Sequence, residues 1–94
     1  MNTNDHAGQI KAGIRNFIVK ELLFDIQVLP IDDASSFLAA GIIDSMGVME
    51  LINYVEKEHG IKVEPEDMVP EIFDSVNTLA KYIMDRGKVA VLQA

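Results

Sequence analysis

Residues 41–59 read GIIDSMGVMELINYVEKEH, and this stretch decides how the chain folds. From Val48 onward its apolar residues recur at spacings of three and four, as on the buried face of an amphipathic α-helix. The predicted buried positions are Val48, Leu51, Ile52, Val55 and His59. The predicted exposed positions are Met46, Met49, Glu50, Asn53 and Lys57. The stretch therefore predicts a helix that begins at Ser45 and stops at Gly60.

Ser45 stands at the predicted start of this helix, where the first backbone N–H groups have no partner within the helix. The side-chain oxygen of either Asp44 or Ser45 can accept one of these N–H groups and cap the helix. The positive end of the helix dipole also favours an anion there, by about 0.3–1 kcal/mol. Gly47, inside the first turn, costs up to about 1 kcal/mol relative to alanine, and open space beside Ser45 is one explanation for it. We therefore take Ser45 as the candidate functional residue, suited to carrying a phosphate.

Ser45 is poorly equipped as a catalytic nucleophile, because no base lies near it in the sequence. The two histidines are His6, in a polar leader, and His59, at the far end of the same helix. No G-x-S-x-G elbow surrounds the serine, and no group of His and acidic residues has metal-ligand spacing. The sequence thus argues against a serine hydrolase and a metal site, and favours a hydroxyl that another enzyme modifies.

The length and composition predict one domain spanning residues 1–94, since the chain has 94 residues and 49% of them are hydrophobic. We expect its core to cover about residues 6–86 and residues 87–94 to form a loosely held tail. The chain has no cysteine, which excludes disulfides and thiolate metal sites. The polar leader and the lack of an apolar run of about 18 residues predict a cytoplasmic protein, which we expect to be a monomer.

The negative charge is concentrated around the serine-bearing helix. Segment 44–74 holds nine acidic residues against Lys57 and Lys62, and it accounts for the whole formal net charge of −7. Such a field repels nucleic acids and anionic membranes and steers basic partner surfaces towards Ser45. The alternative is an acidic face that only aids solubility. Met46 and Met49 leave a similar choice open, between an adaptable partner surface and packing against the rim of the core.

The first half of the chain predicts one helix followed by a long loop. Asp5 can cap a first helix, and its predicted buried positions are Ile10, Ile14, Phe17, Ile18 and Leu22. Residues 25–43 break the helical pattern and contain turn signals. We expect one helical turn near residues 35–40, ended by Gly41. Ser35 and Ser36 compete with Ser45 as sites of modification, and we interpret both as turn and cap residues.

After Gly60 the chain predicts an extended linker and two further helices. Pro65, followed by two acids, starts a short third helix that Pro70 ends. Ser75 caps a last helix that Gly87 closes, with predicted buried positions Val76, Leu79, Ala80 and Ile83. Three longer helices, one short helix and a long first loop make an all-α fold, a small four-helix bundle.

The tripeptide Asp44-Ser45-Met46, preceded by Gly41-Ile42-Ile43 and followed by a helix with Glu50-Leu51, resembles the attachment motif of carrier proteins. These are the acyl and peptidyl carriers of fatty-acid, polyketide and nonribosomal-peptide synthesis. The chain length, the order of the helices, the acidic balance and the lack of cysteine agree with the resemblance, which covers about residues 8–86 and extends to the predicted bundle.

The resemblance implies that a phosphopantetheinyl transferase joins 4′-phosphopantetheine from coenzyme A to Ser45. The thiol of that arm would hold an acyl or aminoacyl group as a thioester, and the chain itself would catalyse nothing. The implied partners are the transferase, an acyl- or aminoacyl-activating ligase, and downstream transferases or synthases. Candidate docking residues are Asp44, Met46, Met49, Glu50 and Glu56.

Two departures from the carriers of primary fatty-acid synthesis bear on the pathway. Those carriers usually have leucine and then an acid after the serine, whereas this chain has Met46 and Gly47, and Lys57 interrupts its acidic stripe. The departures favour a free-standing carrier of a dedicated pathway that makes a polyketide, a nonribosomal peptide or a specialised acyl or aminoacyl product. The alternative function is an acidic helical adaptor that is never modified.

Overall fold

The computed structural model describes residues 5–23 and 29–93, and every regular element in these ranges is helical. The α-helices are α1 (Asp5–Phe17), α2 (Ser45–His59), α3 (Pro70–Phe73) and α4 (Val76–Gln93). A π-helical segment, Ile18–Leu23, continues α1, and a 3₁₀ turn, Pro65–Asp67, precedes α3. The predicted all-α bundle of three longer helices and one short helix is therefore confirmed.

The apolar faces of these helices meet in one core. α1 packs mainly against α4, and α3 contacts both α2 and α4. The predicted helical positions that are buried are Ile10, Ile14, Ile18, Leu51, Ile52, Val55, Val76, Leu79, Ala80 and Ile83. Phe17, Leu22 and Val48 are partly buried and pack against this core. The long loop is pinned to it by Phe37 and Ile43, both buried. The described residues contain no helix long and apolar enough to cross a bilayer.

Both ends of α2 lie where the sequence places them. Gly60 adopts a left-handed conformation (φ 66°), and its N–H donates to the carbonyl of Glu56, which closes the last turn. The start of α4 also agrees with the sequence, which predicts Ser75 as its cap. The Ser75 hydroxyl accepts the N–H of Thr78 at 3.1 Å and so caps α4. Capping patterns that act over three or four residues are therefore confirmed.

Two other predicted helix boundaries are wrong. Pro70 begins α3 instead of ending a helix, because proline holds the preceding Val69 extended (φ −129°, ψ 154°) and needs no N–H partner in a first turn. Gly87 does not close α4, since one interior glycine costs only about 1 kcal/mol and the helix runs on to Gln93. The residues before α1 and the side chain of Asp5 lie outside what the structure describes, so capping by Asp5 stays a prediction. The loose attachment of residues 87–94 stays a prediction.

Side chains of α4 hold the segment that links α2 to α3. The Tyr82 hydroxyl donates to Asp67 at 2.9 Å, and the Arg86 guanidinium donates to the carbonyl of Lys62 at 2.9 Å. Burial, together with the hydrogen bond to Asp67, raises the pKa of Tyr82 to about 12, so the phenol remains a proton donor. These contacts fix the 3₁₀ turn against α4 and thereby set the position of α3.

Candidate functional site

Ser45 is the first residue of α2, and its side chain is exposed. Asp44, just before it, has an extended backbone (φ −104°, ψ −170°), and its Oδ1 accepts the N–H of Gly47 at 2.9 Å. Asp44 is thus the cap of α2, which decides between the two predicted candidates. In the part of the chain that the structure describes, the Ser45 hydroxyl makes no hydrogen bond. This hydroxyl is therefore exposed, and none of the described residues engages it.

Gly47 has a packing role that differs from the open space suggested above. A Cβ atom at this position would overlap Cγ2 of Ile43, whose side chain is buried and lies directly against the first turn of α2. The glycine therefore lets the loop end approach the helix closely. Because Ile43 is packed in this way, the chain leaves the core at Asp44 and presents Ser45 outward.

Two grooves meet at Ser45. The larger one, of about 670 Å³, runs between the start of α2 and the π-helical end of α1, where Leu22 and Glu21 form part of its wall. The smaller one, of about 220 Å³, lies between α2 and α3 and includes Phe73. Leu38, from the loop, borders both grooves. A group attached to Ser45 would therefore have an open surface on either side of its attachment point.

The backbone of the helix start favours an anion, while the carboxylate of Asp44, which caps the same turn, opposes one. Asp44 takes up the N–H of Gly47 and leaves those of Ser45 and Met46 at the open end of the helix. These N–H groups and the helix dipole favour a negatively charged group joined to the serine. The arrangement can hold a phosphodiester at Ser45, which is the linkage that a phosphate-bearing cofactor would make there.

Two methionines beside the serine face solvent. Met46 is 73% exposed and Met49 is 53% exposed, so neither folds over the rim of the core. Glu50, one turn after Met46, is also exposed, as are the other predicted outward positions, Asn53 and Lys57. Exposed apolar side chains next to an acid are suited to contact a partner rather than to stabilise the isolated domain.

Glu56, the remaining candidate docking residue, has a structural contact. Its Oε2 accepts the backbone N–H of Val63 at 2.9 Å, and the residue is only partly exposed. Val63 is buried, so this bond draws the linker after Gly60 onto α2. Docking by Glu56 stays a prediction, but its carboxylate already stabilises the fold through the bond to Val63.

The competing serines have committed hydroxyls. Ser35 Oγ donates to Asp32 at 2.7 Å. Ser36 Oγ donates to the carboxylate of Asp74 and accepts the N–H of Ala39 at 3.0 Å. Ser36 therefore starts the helical turn that Gly41 ends with a left-handed backbone (φ 73°). Both serines are turn and cap residues, in agreement with our interpretation of the sequence.

Neither histidine can assist Ser45. His59 lies at the other end of α2, and fourteen residues of helix at 1.5 Å each separate the two by about 20 Å. Its Nε2 is buried without a hydrogen-bond partner in the described residues, its ring meets Tyr54 edge-on at 6.0 Å, and burial lowers its pKa. His6 is exposed on α1. Among the described residues no three His, Cys, Asp or Glu side chains are grouped to hold a metal ion.

The fold and the site together define a small helical bundle that presents an uncommitted serine at the start of its second helix. Residues 14–83 match the family described as "Phosphopantetheine attachment site", and because this match spans more than half of the chain, the protein belongs to that family. The predicted relationship to acyl and peptidyl carrier proteins is confirmed. A sequence search of curated proteins finds none that matches the chain.

Membership of this family establishes the cofactor. Its domains bind 4′-phosphopantetheine covalently, so this is the prosthetic group of the chain. Domains of the family are generally non-catalytic carriers, and they interact with phosphopantetheinyl transferases and with biosynthetic enzymes.

The contacts that shape the site were not all accessible from the sequence. The overlap of a Cβ at position 47 with Ile43 has one local signal, a glycine where the helix would prefer another residue. The bond between Ser36 and Asp74 joins residues 38 positions apart, and no periodicity or turn pattern connects them. The pairing of Glu56 with Val63 has no signal either, since an acid on a partly exposed helix face is ordinary.

Proposed function

We propose that Ser45 bears the 4′-phosphopantetheine arm and that the protein carries an acyl or aminoacyl group between partner enzymes. The observation that carries the proposal is the exposed, uncommitted hydroxyl of Ser45 at the start of α2, in a domain whose family binds this group covalently. The competing hydroxyls of Ser35 and Ser36 are engaged in hydrogen bonds.

The residues present fit the group. In the attachment reaction Ser45 Oγ forms a bond to the 4′-phosphate phosphorus of coenzyme A, the bond between the two phosphates breaks, and adenosine 3′,5′-bisphosphate leaves. The proton of the hydroxyl passes to a base of the transferase, since this chain has none nearby. The N–H groups of Ser45 and Met46, at the open end of α2, would be the donors available to the phosphodiester. The bound arm supplies a thiol, which a chain without cysteine lacks.

The protein's own part in transport is presentation. Ser45 anchors the arm where two grooves open, and neither groove encloses it, so partners can reach the cargo. Tethering raises the effective concentration of cargo at each partner, while weak electrostatic docking lets each partner release the carrier again. The chain itself makes and breaks no bond of the cargo.

The partners in the proposal are a phosphopantetheinyl transferase, an acyl- or aminoacyl-activating ligase and downstream transferases or synthases. Of the candidate docking residues, Asp44, Met46, Met49 and Glu50 lie exposed around Ser45, while Glu56 is further along the helix with its carboxylate engaged. If these residues dock a partner, Met46→Ala and Glu50→Gln should each slow loading several-fold. Asn53→Ala, exposed on the same face, is the matched control and should leave the rate unchanged.

A dedicated biosynthetic pathway is the finer part of the proposal. Met46 and Gly47 after the serine, and an exposed Lys57 within the acidic stripe, give partners of primary fatty-acid synthesis less negative charge to read. The purified protein should therefore be a poor substrate for the housekeeping malonyl transferase and a good one for a ligase encoded beside it. Efficient malonyl loading without any loading by such a ligase would contradict this assignment.

The test of the proposed function is the intact mass of the protein after incubation with coenzyme A and a promiscuous phosphopantetheinyl transferase. The wild type should gain one arm, Ser45→Ala should gain none, and the matched variant Ser35→Ala should gain one. An acidic adaptor, the alternative function, would show no added mass in any of the three. An arm on Ser45→Ala would assign the attachment to another residue and overturn the proposal.

A further inference from the structure

Hydrogen bonds from the loop turn at residues 36–41 converge on Asp74, in the junction between α3 and α4. Ser36 Oγ donates to one carboxylate oxygen, and the backbone N–H of Leu38 donates to Oδ1 at 2.9 Å. The N–H of Phe37, between them, donates to the backbone carbonyl of Asp74 at 2.8 Å. One residue thus holds the turn through its side chain and its main chain, and we refer to these contacts as the Asp74 clamp.

The Asp74 clamp holds a residue that forms part of the walls of both grooves at Ser45. Leu38, the residue held through its N–H, borders both grooves that meet at the serine, and Asp74 itself borders the smaller one. The N–H of Ile42 donates to the carbonyl of Phe37 at 2.9 Å, so the clamped turn also fixes the residues that lead into α2. A separate turn at residues 32–35, where the N–H of Ser35 donates to the carbonyl of Asp32 at 3.2 Å, borders neither groove.

A second anchor of the same loop provides a comparison. Asp33 accepts Nε and Nη2 of Arg15 at 2.9 and 3.0 Å, and its carbonyl accepts the N–H of Asn77 at 2.9 Å. This anchor ties the earlier part of the loop to α1 and α4, and Asp33 borders neither groove at Ser45. It therefore stabilises the loop without shaping the surface that surrounds the serine.

We infer that Asp74 is a positioning residue for the modification of Ser45, a role that rests on the proposed function. A transferase must bind the surface around the serine. The Asp74 clamp keeps Leu38 and the residues that lead into α2 in one arrangement. Without it the turn samples several arrangements, and only the competent fraction binds the transferase. Apparent affinity then falls in proportion to that fraction, while turnover of the bound complex is unchanged.

The experiment measures steady-state phosphopantetheinylation of the full chain with coenzyme A, using wild type, Asp74→Ala, Asp74→Asn and the matched Asp33→Ala. We expect Asp74→Ala to raise KM on the order of tenfold with little change in kcat, as a smaller competent fraction requires. Asp74→Asn keeps an acceptor for Leu38 and a polar partner for Ser36, so it should restore most of the affinity. Asp33→Ala should leave KM within about twofold of wild type.

Amide hydrogen exchange at Leu38 gives a second readout that needs no enzyme. Exchange should accelerate in Asp74→Ala and stay slow in Asp33→Ala, because only the former removes the acceptor. An unchanged KM in a folded Asp74→Ala, or an equal rise in Asp33→Ala, would overturn the inference. If Asp74→Ala does not fold, Ser36→Ala removes the hydroxyl bond of the clamp while the backbone bonds of Phe37 and Leu38 remain, and it should raise KM in the same direction by a smaller factor.

Different results would refute the modification of Ser45 and the positioning role of Asp74. Wild-type protein that is never modified at Ser45 would sink the proposed function, and Leu38 exchange would still report on the Asp74 clamp. Normal modification of the wild type, with Asp74→Ala and Ser36→Ala both showing the KM and kcat of the wild type, would leave the proposed function standing and refute the positioning role alone.

Discussion

Ser36 and Ser45 both stand at the start of a helical turn that follows an irregular stretch, yet the Ser36 hydroxyl is hydrogen-bonded and the Ser45 hydroxyl is exposed. Ser36 caps its own turn by accepting the N–H of Ala39 and is further tied to Asp74. At the start of α2 the capping is done by Asp44, one residue earlier, and the Ser45 hydroxyl is left exposed. Ser45 is available for modification because the side chain of the neighbouring Asp44 caps the helix instead.

Stability and function are separated between the two serines. The Ser36 hydroxyl forms hydrogen bonds that stabilise the bundle, whereas the Ser45 hydroxyl is exposed and has no hydrogen-bond partner among the described residues. Substitution of Ser36 should therefore lower stability, and substitution of Ser45 should abolish modification.

The largest expected effect on stability is at Ser36. Ser36→Ala removes a hydrogen bond to a carboxylate, which typically contributes about 1.5–3 kcal/mol, and we expect a loss of about 1.5 kcal/mol because the site is only partly buried. Ser45→Ala should stay within about 0.5 kcal/mol of wild type, as exposed substitutions usually do. Urea unfolding followed by circular dichroism measures both. Equal losses for the two variants would erase the contrast between the serines.

Gly47→Ala tests how Ser45 is turned outward. Alanine gains about 1 kcal/mol of helix propensity over glycine, but its Cβ would overlap Cγ2 of Ile43, and overpacking costs about 1–3 kcal/mol. We expect a net loss of about 1 kcal/mol in urea unfolding. The double variant Ile43→Leu/Gly47→Ala lacks that methyl group and should recover part of the loss. A stabilised Gly47→Ala would mean that Ile43 yields easily.

Asp44→Ala tests the residue that frees Ser45 from capping. Loss of the cap should cost about 1 kcal/mol, and Asp44→Asn, which keeps a capping oxygen, should stay close to wild type. Both are measured by urea unfolding, with exchange of the Gly47 amide as the local readout. The same loss in Asp44→Asn as in Asp44→Ala would assign the effect to the charge of Asp44 and not to its cap.

The smallest expected effect lies at the far end of α2, where His59 contrasts with the open start. Burial lowers the pKa of His59 below its ordinary value of 6.5, nearby Glu58 opposes this, and His6 adds to it slightly. The unfolded chain therefore takes up this proton more readily than the folded chain. Stability is retained above pH 6.5 and falls as the pH is lowered through 6.5 towards the folded-state pKa.

The measurement is the free energy of unfolding in urea at a series of pH values on both sides of that point. His59→Gln should flatten the slope that this group contributes near neutral pH, and His6→Gln, at the exposed histidine, should retain it. A slope that persists unchanged in His59→Gln would assign the pH dependence to other groups.

Features set by neighbouring residues could be predicted from the sequence. The bounds of α2 follow from Asp44 before it and Gly60 after it, and the outward direction of Met46 and Met49 follows from helical spacing. The candidate serine could be found for the same reason, because capping and the helix dipole act within one turn.

Features that depend on distant contacts or on small energy differences could not. A π-helical segment continues α1 where the sequence predicts an ordinary helix, and Gly87 is tolerated within α4 because its cost of about 1 kcal/mol is small. Pro70 reads equally well as a helix end or a helix start until the extended Val69 is seen before it. The Asp74 clamp joins two segments that only the folded bundle brings together.

The most direct test of the central claim is to locate the arm in the modified wild-type protein by peptide mass spectrometry. Cleavage before aspartate separates the two regions compared here, since peptide 33–43 contains Ser35 and Ser36 and peptide 44–66 contains Ser45. We predict that the added mass resides on peptide 44–66, with fragment ions that place it on Ser45. Added mass on peptide 33–43, or none on peptide 44–66, would contradict the account.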